Sequence, residues 1–281
     1  MMNVSWYPGH MTKAKRMMQE DIKIIDLVIE LLDARIPVSS RNPDIDELAR
    51  GKSRLVILNK SDLSDPGENE RWIRYFTDKG IVTVLIDSKR SKGFSQISRS
   101  IEEACKAKIE RDKKRGIIGR PVRAMVVGIP NVGKSTFINS LCRRASTKTG
   151  NKPGVTKGKQ WVRLNKNVEL LDTPGILWPK FESEQTGLHL AFIGSINDEI
   201  LDETELSIKF IEWLTNSHPG ALHKRYDINE DEETYVILQD IARKRGCIKK
   251  GNEPDHEKAA KIVLDDFRSG QLGNITLEIP S

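Results

Sequence analysis

The sequence predicts an α/β domain with a doubly wound, mostly parallel sheet, followed by an all-α C-terminal domain. Short apolar runs alternate with helical patterns up to about residue 180, which is typical of domains built from strand–helix units. A glycine-rich loop, GIPNVGKS at 128–135, lies between one such run and a helix. Beyond residue 180 only helical patterns remain, so we predict two domains, 1–180 and 181–281.

The elements of the first domain follow from its apolar runs and helical periodicity. The N-terminal segment, residues 1–25, is basic, and a short helix is predicted at 11–25. The predicted strands are 26–35, 54–59, 81–88, 122–128, 161–165 and 168–175. The predicted helices are a short one within 36–52, then 68–80, 94–115 and 133–144 in the first domain, and 185–193, 200–216, 231–246 and 255–269 in the second.

Composition and length narrow the class of protein. A chain of 281 residues with 37% hydrophobic and 31% charged residues fits a globular protein of about two domains. It contains no apolar run near the roughly 20 residues that span a bilayer, and its N-terminal segment does not resemble a secretory signal. The three cysteines are widely spaced, which disfavours a disulfide framework or a zinc site. We therefore expect a cytoplasmic monomer with no membrane partner.

Charge is segregated along the chain, whose formal net charge is +6. Residues 143–163 contain seven Lys or Arg and no carboxylate, whereas 182–233 contain thirteen acids and three bases. Further basic clusters occupy 106–123 and 243–250. Such patches are typical of binding to a phosphate backbone, although a solvated surface would give the same pattern.

The loop at 128–135 fits the phosphate-binding pattern G-x-x-x-x-G-K-[ST]. Its glycines let consecutive backbone N–H groups point at phosphates, and the following helix N-terminus adds a favourable dipole. Lys134 would reach the β- and γ-phosphates, and the Ser135 hydroxyl would bind Mg²⁺. The residues predicted to surround the phosphates are Asn131, Val132, Gly133, Lys134, Ser135 and Thr136. A glycine turn that binds nothing is the alternative.

Two further segments complete the predicted metal and γ-phosphate site. DTPG at 172–175 follows a strand, so Asp172 would hold Mg²⁺, through water, and the Gly175 amide would face the γ-phosphate. Thr156 lies in the basic loop NKPGVTKG and is the candidate switch threonine that completes the metal shell. A threonine in a loop is more often only a turn residue.

The tetrapeptide NKSD at 59–62 predicts guanine recognition. Asp62 can accept hydrogen bonds from guanine N1–H and the 2-amino group, and adenine does not offer both donors. Lys60 would pack along the base, and Asn59 would brace the neighbouring loops. The remaining residues predicted to form the base pocket are Ser61, from the same motif, and Asp87 and Ser88, which follow the next strand.

The order of these motifs is unusual, because the base motif precedes the phosphate loop by about seventy residues. A domain whose original ends lie close together tolerates circular permutation. Opening the chain after the second switch gives the order base motif, pocket wall, phosphate loop, switch threonine and DTPG, which is the order here. The predicted first domain is therefore a circularly permuted P-loop GTPase domain.

The chain resembles the circularly permuted GTPases of bacterial ribosome assembly, of the RbgA/YlqF type, over essentially its whole length. The resemblance rests on the base and phosphate motifs and on WYPGHM (6–11), DARIPVSSRNP (33–43), PGVTKG (153–158), DTPGILWP (172–179) and AFIGSINDEIL (191–201). It implies a cytoplasmic GTPase that binds a late precursor of the large ribosomal subunit and promotes its maturation. It also implies that the C-terminal helical domain contacts ribosomal RNA.

Hydrolysis is expected to depend on a partner, because Ile176 stands where many GTPases place a water-orienting glutamine. The resemblance suggests His10 as a residue that positions water, besides Lys134 and Thr156; RNA contact or packing against Trp6 and Tyr7 are the alternatives for this imidazole. It also suggests that Asn131 helps to bind an activating K⁺.

Two other functions remain open at the level of the sequence. One is a GTPase that acts in small-subunit or tRNA maturation. The other is an RNA-binding scaffold that does not hydrolyse its nucleotide, which Ile176 favours and the set of phosphate and metal residues disfavours.

Overall fold

The structure, a computed structural model, describes residues 16–149, 161–172, 183–196 and 202–280; of residues 144–149 and 172 it describes the backbone only. The chain divides into two compact units. The first comprises Met1–Glu182 together with Thr276–Ser281, and the second comprises Ser183–Ile275. The boundary between the units lies two residues after the predicted one, and the C-terminal residues Thr276–Ser281 group with the first unit.

The first unit contains a six-stranded sheet with the strand order β3-β2-β1-β4-β6-β5. All neighbouring strands are parallel except β5 and β6, which are antiparallel. The fold class is confirmed: the sheet is mostly parallel and alternates with helices along the chain. The strands are β1 (Leu27–Asp33), β2 (Ser53–Asn59), β3 (Val82–Leu85), β4 (Val122–Val127), β5 (Trp161–Asn165) and β6 (Val168–Asp172).

Among the described residues of this unit, five helices connect the strands. Residues 16–21 are also helical and continue into a 3₁₀ turn, Ile22–Ile24. The single helix predicted over 94–115 is instead two helices that meet at the buried residue Cys105. The helices are α1 (Ile45–Leu48), α2 (Pro66–Asp78), α3 (Phe94–Ala104), α4 (Lys106–Lys114) and α5 (Lys134–Thr149).

The centre of the sheet is buried on both faces, which explains why its strands read as continuous apolar runs. All seven residues of β1 are buried. On one face, Trp72 and Phe76 of α2 pack with Val56 and Leu58 of β2. Burying each such side chain contributes about 1.5–3 kcal/mol, so α2 is held firmly against the strand that carries the predicted base motif.

The second unit is helical in the residues described. Its aromatic core includes Phe210, whose ring centroid lies 5.1 Å from that of Phe192 and 4.7 Å from that of Phe267. The helices are α6 (Glu184–Phe192), α7 (Glu203–Ser217), α8 (Ala221–Tyr226), α9 (Thr234–Lys244) and α10 (His256–Ser269). The short helix α8 was not predicted. Across the described residues of both units, no helix combines the length and the apolar composition that crossing a membrane requires.

Strand order determines where a ligand can bind in the first unit. Strands β2 and β3 lie on one side of the central pair β1 and β4, and strands β6 and β5 lie on the other. Strands β1 and β4 are adjacent and parallel, so their following loops diverge at this point. Open α/β sheets bind ligands in the resulting crevice at the carboxyl ends of the strands.

Candidate guanine-nucleotide site

The predicted base and phosphate residues meet at the carboxyl edge of the sheet. Asn59 is the last residue of β2, and the phosphate loop follows β4 directly. Within the sheet, Asn59 pairs in register with Asp33 at the end of β1. The permuted order of the motifs therefore does not separate them in space, because each follows a parallel strand of the same sheet.

Asn59 joins three loops, as predicted from its place in NKSD. Its side-chain Nδ2 donates a hydrogen bond to the Val132 carbonyl oxygen over 2.8 Å, and its Oδ1 accepts one from the Ser88 backbone N–H over 3.1 Å. The side chain is 1% exposed. Losing one partner would leave buried polar groups unpaired, so the base motif, the pocket wall and the phosphate loop hold one another in place.

The phosphate loop has a backbone that only certain residues adopt readily. Asn131 and Gly133 have positive φ values of 59° and 96°, a region that favours glycine and tolerates asparagine. A Cβ atom on Gly133 would lie 2.5 Å from the Asn59 Nδ2 atom, and one on Gly128 would lie 2.8 Å from the Leu31 carbonyl oxygen. Both glycines of the motif are therefore required by close approach, and Gly133 is also required by its positive φ.

Helix α5 begins within the phosphate motif, at Lys134. The Phe137 N–H donates to the Gly133 carbonyl oxygen over 2.9 Å, so the first turn is formed. The side chains of Ser135 and Thr136 are exposed, and that of Lys134 is half-buried. A helix N-terminus with these side chains around it suits an anion such as a phosphate.

The pocket wall after β3 is organised by its own turn. The Asp87 Oδ1 atom accepts hydrogen bonds from the Lys89 and Arg90 backbone N–H groups over 2.9 and 3.1 Å. The Ser140 hydroxyl of α5 donates to the Ser88 carbonyl oxygen over 3.1 Å. Asp87 thus shapes the wall, while the buried Ser88 Oγ atom has no hydrogen-bond partner in the described part of the chain.

Asp62 differs from its neighbours in the motif. Ser61 is tied to the wall, since its N–H and hydroxyl both donate to the Ile86 carbonyl oxygen, over 3.2 and 3.0 Å. The half-buried Asp62 carboxylate accepts no hydrogen bond from the described residues. It therefore keeps both oxygens available, which is what recognition of two adjacent donors requires.

A buried ion cluster beside the base motif was missed at the level of the sequence. The Arg35 guanidinium donates to both Asp33 carboxylate oxygens over 2.9 and 2.8 Å, and the Arg35 N–H donates to Oδ1 over 3.1 Å. The Lys60 ammonium lies 3.0 Å from the Asp33 Oδ2 atom. The available signal was DAR, polar residues at the end of a buried strand, but nothing in the sequence indicated the partner of Asp33.

Burial and charge oppose each other in this cluster. Burial works to raise the pKa of Asp33, but Arg35 and Lys60 outweigh it and hold that pKa well below its usual range. Burial is also the largest effect on Lys60 and lowers its pKa; the Asp33 carboxylate opposes this shift without cancelling it. Asp33 is fully buried and Lys60 is 22% exposed, so the lysine side chain extends from the buried pair to the solvent-accessible surface.

Three predicted site residues, His10, Thr156 and Gly175, lie outside the described residues. Asp172 is the last residue of β6 and pairs in register with Val126, two residues before the phosphate loop begins. Ser135 lies at the N-terminus of α5. A hydroxyl and a carboxylate are the oxygen ligands that Mg²⁺ prefers, so the residue types and their places at one sheet edge fit this ion.

Comparison with known proteins supports the permuted arrangement. A family profile described as "50S ribosome-binding GTPase" matches residues 123–241. This match begins in β4, so the base motif lies upstream of it. Ribosome biogenesis GTPase A of Priestia megaterium is 46% identical over 282 residues, which cover 100% of this chain and 98% of that protein.

Solved structures agree with the sequence comparison. The GDP-bound structure of TM YlqF superposes with a TM-score of 0.70 at 26% identity, covering 94% of this chain and 99% of that chain. GNP-bound YlqF from T. maritima gives a TM-score of 0.69 at 27% identity, covering 96% and 99%. With its sheet, its braced base and phosphate loops and these relatives, the chain belongs to the ribosome biogenesis GTPase A family of circularly permuted GTPases.

Proposed function

We propose that this GTPase binds a late precursor of the large ribosomal subunit, promotes its maturation, and is released when GTP is hydrolysed. The observation that carries this proposal is the match of residues 123–241 to the family of 50S ribosome-binding GTPases. The basic clusters at 106–123 and 243–250 are consistent with contact to ribosomal RNA. Acting on this particle would place the protein in the cytoplasm, as a monomer with the helical unit on the RNA.

The nucleotide site divides into three roles. Asp62 would bind the guanine N1–H and 2-amino groups, with Asn59 and Lys60 shaping the base pocket and Ser61, Asp87 and Ser88 forming its wall. The backbone N–H groups of 131–136 and the Lys134 ammonium would bind the phosphates. Ser135, Thr156 and Asp172 would hold Mg²⁺, which neutralises charge on the phosphates during transfer. The relatives with bound GDP and GNP support a nucleotide at this place.

The base assignment is tested by Asp62→Asn. An amide in place of the carboxylate repels the 2-amino group of guanine and instead donates to the 2-oxo group of xanthine. We expect GTP to bind on the order of 100-fold more weakly and XTP to bind more tightly than GTP. If Asp62→Asn keeps the preference of the unmodified protein for GTP, the guanine pocket is elsewhere.

Turnover without a partner should be slow, about 10⁻⁴–10⁻² s⁻¹, because Ile176 cannot orient water. His10 would position the water once the particle is bound, and Asn131 would help to bind K⁺ as a substitute for an arginine charge. Comparing His10→Ala with the unmodified protein, each with and without precursor particles, tests the first role. Replacing K⁺ with Na⁺ tests the second, and equal rates would refute it.

Particle choice is tested by sedimentation. The protein, loaded with a non-hydrolysable GTP analogue or with GDP, is centrifuged through a sucrose gradient with large- and small-subunit precursors. We expect co-sedimentation with the large-subunit precursor, at least tenfold stronger in the analogue state. Binding to small-subunit particles alone, or equal binding in the two nucleotide states, would contradict the proposal.

A further inference from the structure

The segment 276–280 belongs to the first unit, where it contacts the loop after β1. The Leu277 N–H donates to the Arg35 carbonyl oxygen over 2.9 Å. The Glu278 carboxylate accepts hydrogen bonds from the Val38 and Ser39 N–H groups over 2.7 and 3.0 Å. We call this segment the C-terminal strap; three of its hydrogen bonds hold one short stretch of the β1 loop.

The strap also holds the loop that follows β2. The Thr276 hydroxyl oxygen accepts a hydrogen bond from the Asp65 N–H over 3.0 Å, and the Trp72 Nε1–H donates to the Glu278 carbonyl oxygen over 3.1 Å. Asp65 caps α2, since its side chain accepts from the Glu68 N–H over 2.9 Å. Asp65 follows Asp62 by three residues, so the strap binds the far end of the base-recognition loop.

The two loops held by the strap meet at Lys60. Asp33, the last residue of β1, places its carboxylate 3.0 Å from the Lys60 ammonium, and Arg35, in the loop after β1, holds that carboxylate through its guanidinium. Lys60 has a positive φ of 60°, a backbone conformation that lysine rarely adopts and that surrounding contacts must hold in place. The strap also donates a hydrogen bond to the carbonyl oxygen of Arg35. The position of the strap therefore fixes Arg35, which in turn holds Asp33 beside Lys60.

We propose that the C-terminal strap is a positioning element of the guanine pocket, acting on Lys60 through Arg35 and Asp33, and on the NKSD loop through Asp65. The proposal rests on the proposed assignment of NKSD as the base motif. The strap hydrogen bonds described above reach the loops after β1 and β2 and the Trp72 side chain of α2. We therefore expect the strap to set affinity for the base and to leave the chemical step unchanged.

The strap offers a matched pair of variants. Glu278→Ala removes the acceptor for Val38 and Ser39, and the half-exposed site lets water replace it. Ile279→Ala alters the next side chain, which is 70% exposed. Affinity for a fluorescent GDP analogue, displaced by GDP or GTP, is measured together with kcat, KM and the Tm of the nucleotide-free protein.

We expect Glu278→Ala to weaken GDP and GTP binding alike, by about tenfold, the effect of losing one or two hydrogen bonds. KM should rise with kcat unchanged, Glu278→Gln should restore most of the affinity, and Ile279→Ala should match the unmodified protein. Affinity within twofold of Ile279→Ala, or a fall in kcat as large as the rise in KM, would overturn the proposal.

Two controls separate the causes of failure. If Glu278→Ala does not fold, Thr276→Val is measured in its place and judged by the same changes in affinity, KM and kcat. This variant removes only the acceptor for the Asp65 N–H and keeps the shape of the side chain. Asp62→Asn tests the base motif independently of the strap. If Asp62→Asn selects XTP while the strap variants bind normally, the strap proposal fails alone; if Asp62→Asn keeps its preference for GTP, the assignment of the pocket fails first.

Discussion

The two sides of the proposed nucleotide site are built differently. On the base side, the loops after β1, β2 and β3 hold one another through buried side chains, with Asn59 and Asp33 almost inaccessible to solvent. On the phosphate side, the loop at 128–133 provides curved backbone, and the side chains of Ser135 and Thr136 are exposed. The base side is completed by the protein itself, whereas the phosphate side presents its groups outward.

This difference has an energetic consequence. Side chains that satisfy buried partners stabilise the fold, and removing them costs about 1–3 kcal/mol each. Side chains that interact mainly with a bound ligand contribute little to the free energy of unfolding but much to binding and catalysis. Base-side substitutions should therefore change stability and nucleotide affinity together, and phosphate-side substitutions should change activity alone.

The largest effect is expected for Lys134→Ala on the phosphate side. Removing the ammonium that is proposed to bind the phosphates should lower kcat/KM for GTP by on the order of 100-fold or more. The Tm of the nucleotide-free protein should stay within about 1 °C, because the side chain is only half-buried. Asn139→Ala, at an exposed position of the same helix, is the matched control. A large fall in Tm for Lys134→Ala would show that this phosphate-side residue also stabilises the fold, and would contradict the difference between the two sides.

Asn59→Ala is the corresponding test of the base side. It leaves the Val132 carbonyl and the Ser88 N–H without the bonds that Asn59 makes. We expect the free energy of unfolding to fall by about 1–3 kcal/mol, with a parallel loss of GDP affinity, as measured by urea denaturation and nucleotide titration. Unchanged stability with reduced affinity would show that Asn59 acts only on the ligand.

Acid should weaken the base side through Asp33. The pKa of this carboxyl is lower in the folded protein than in the unfolded chain, so its contribution to stability is present above the unfolded value of about 3.9 and is lost as pH falls below it. Unfolding free energy measured from pH 7 to pH 3 should drop less steeply in Asp33→Asn than in the unmodified protein. Parallel curves for the two proteins would contradict this role.

The smallest effect is expected for Ser88→Ala. The buried Ser88 Oγ atom has no partner among the described residues, so deleting it should leave the stability of the nucleotide-free protein unchanged or raise it by up to about 1 kcal/mol. If this hydroxyl meets the base, GDP affinity should fall a few-fold. A loss of stability instead would place Ser88 with the structural residues of the base side.

The sequence predicted those parts of the site whose signal lies within one short segment. GIPNVGKS and NKSD each combine a strand end, a turn and chemically distinctive side chains within a few residues, so both motifs could be assigned before their meeting in space was known. The two motifs are far apart in sequence, with 73 residues between Asn59 and Val132. They nevertheless meet in the fold, because parallel strands bring their carboxyl ends to one edge of the sheet.

The contacts that the sequence did not predict join segments without a shared local pattern. Lys60 could be identified as a base-motif lysine, but its ion pair with Asp33 depends on the register between β1 and β2. The contacts of Thr276 and Glu278 with the loops after β1 and β2 were not predicted. Residues 275–279, ITLEI, alternate apolar and polar side chains, which indicates an extended segment but does not identify its partner. The break at Cys105 was likewise hidden, because the charged pattern continues through it.

The sequence separation of the strap contacts has a consequence for synthesis of the protein. Val38 and Glu278 lie 240 residues apart, and a translating ribosome adds about 5–20 residues per second. The last strand of the sheet ends at Asp172, 106 residues before Glu278, so the whole sheet is made roughly 5–20 s before the residues that hold the β1 loop. During this interval the nascent chain can fold its sheet, but the strap is not yet present to hold the loops after β1 and β2. If the strap positions the guanine pocket as proposed, full nucleotide affinity is reached only after the helical unit and the strap have been made.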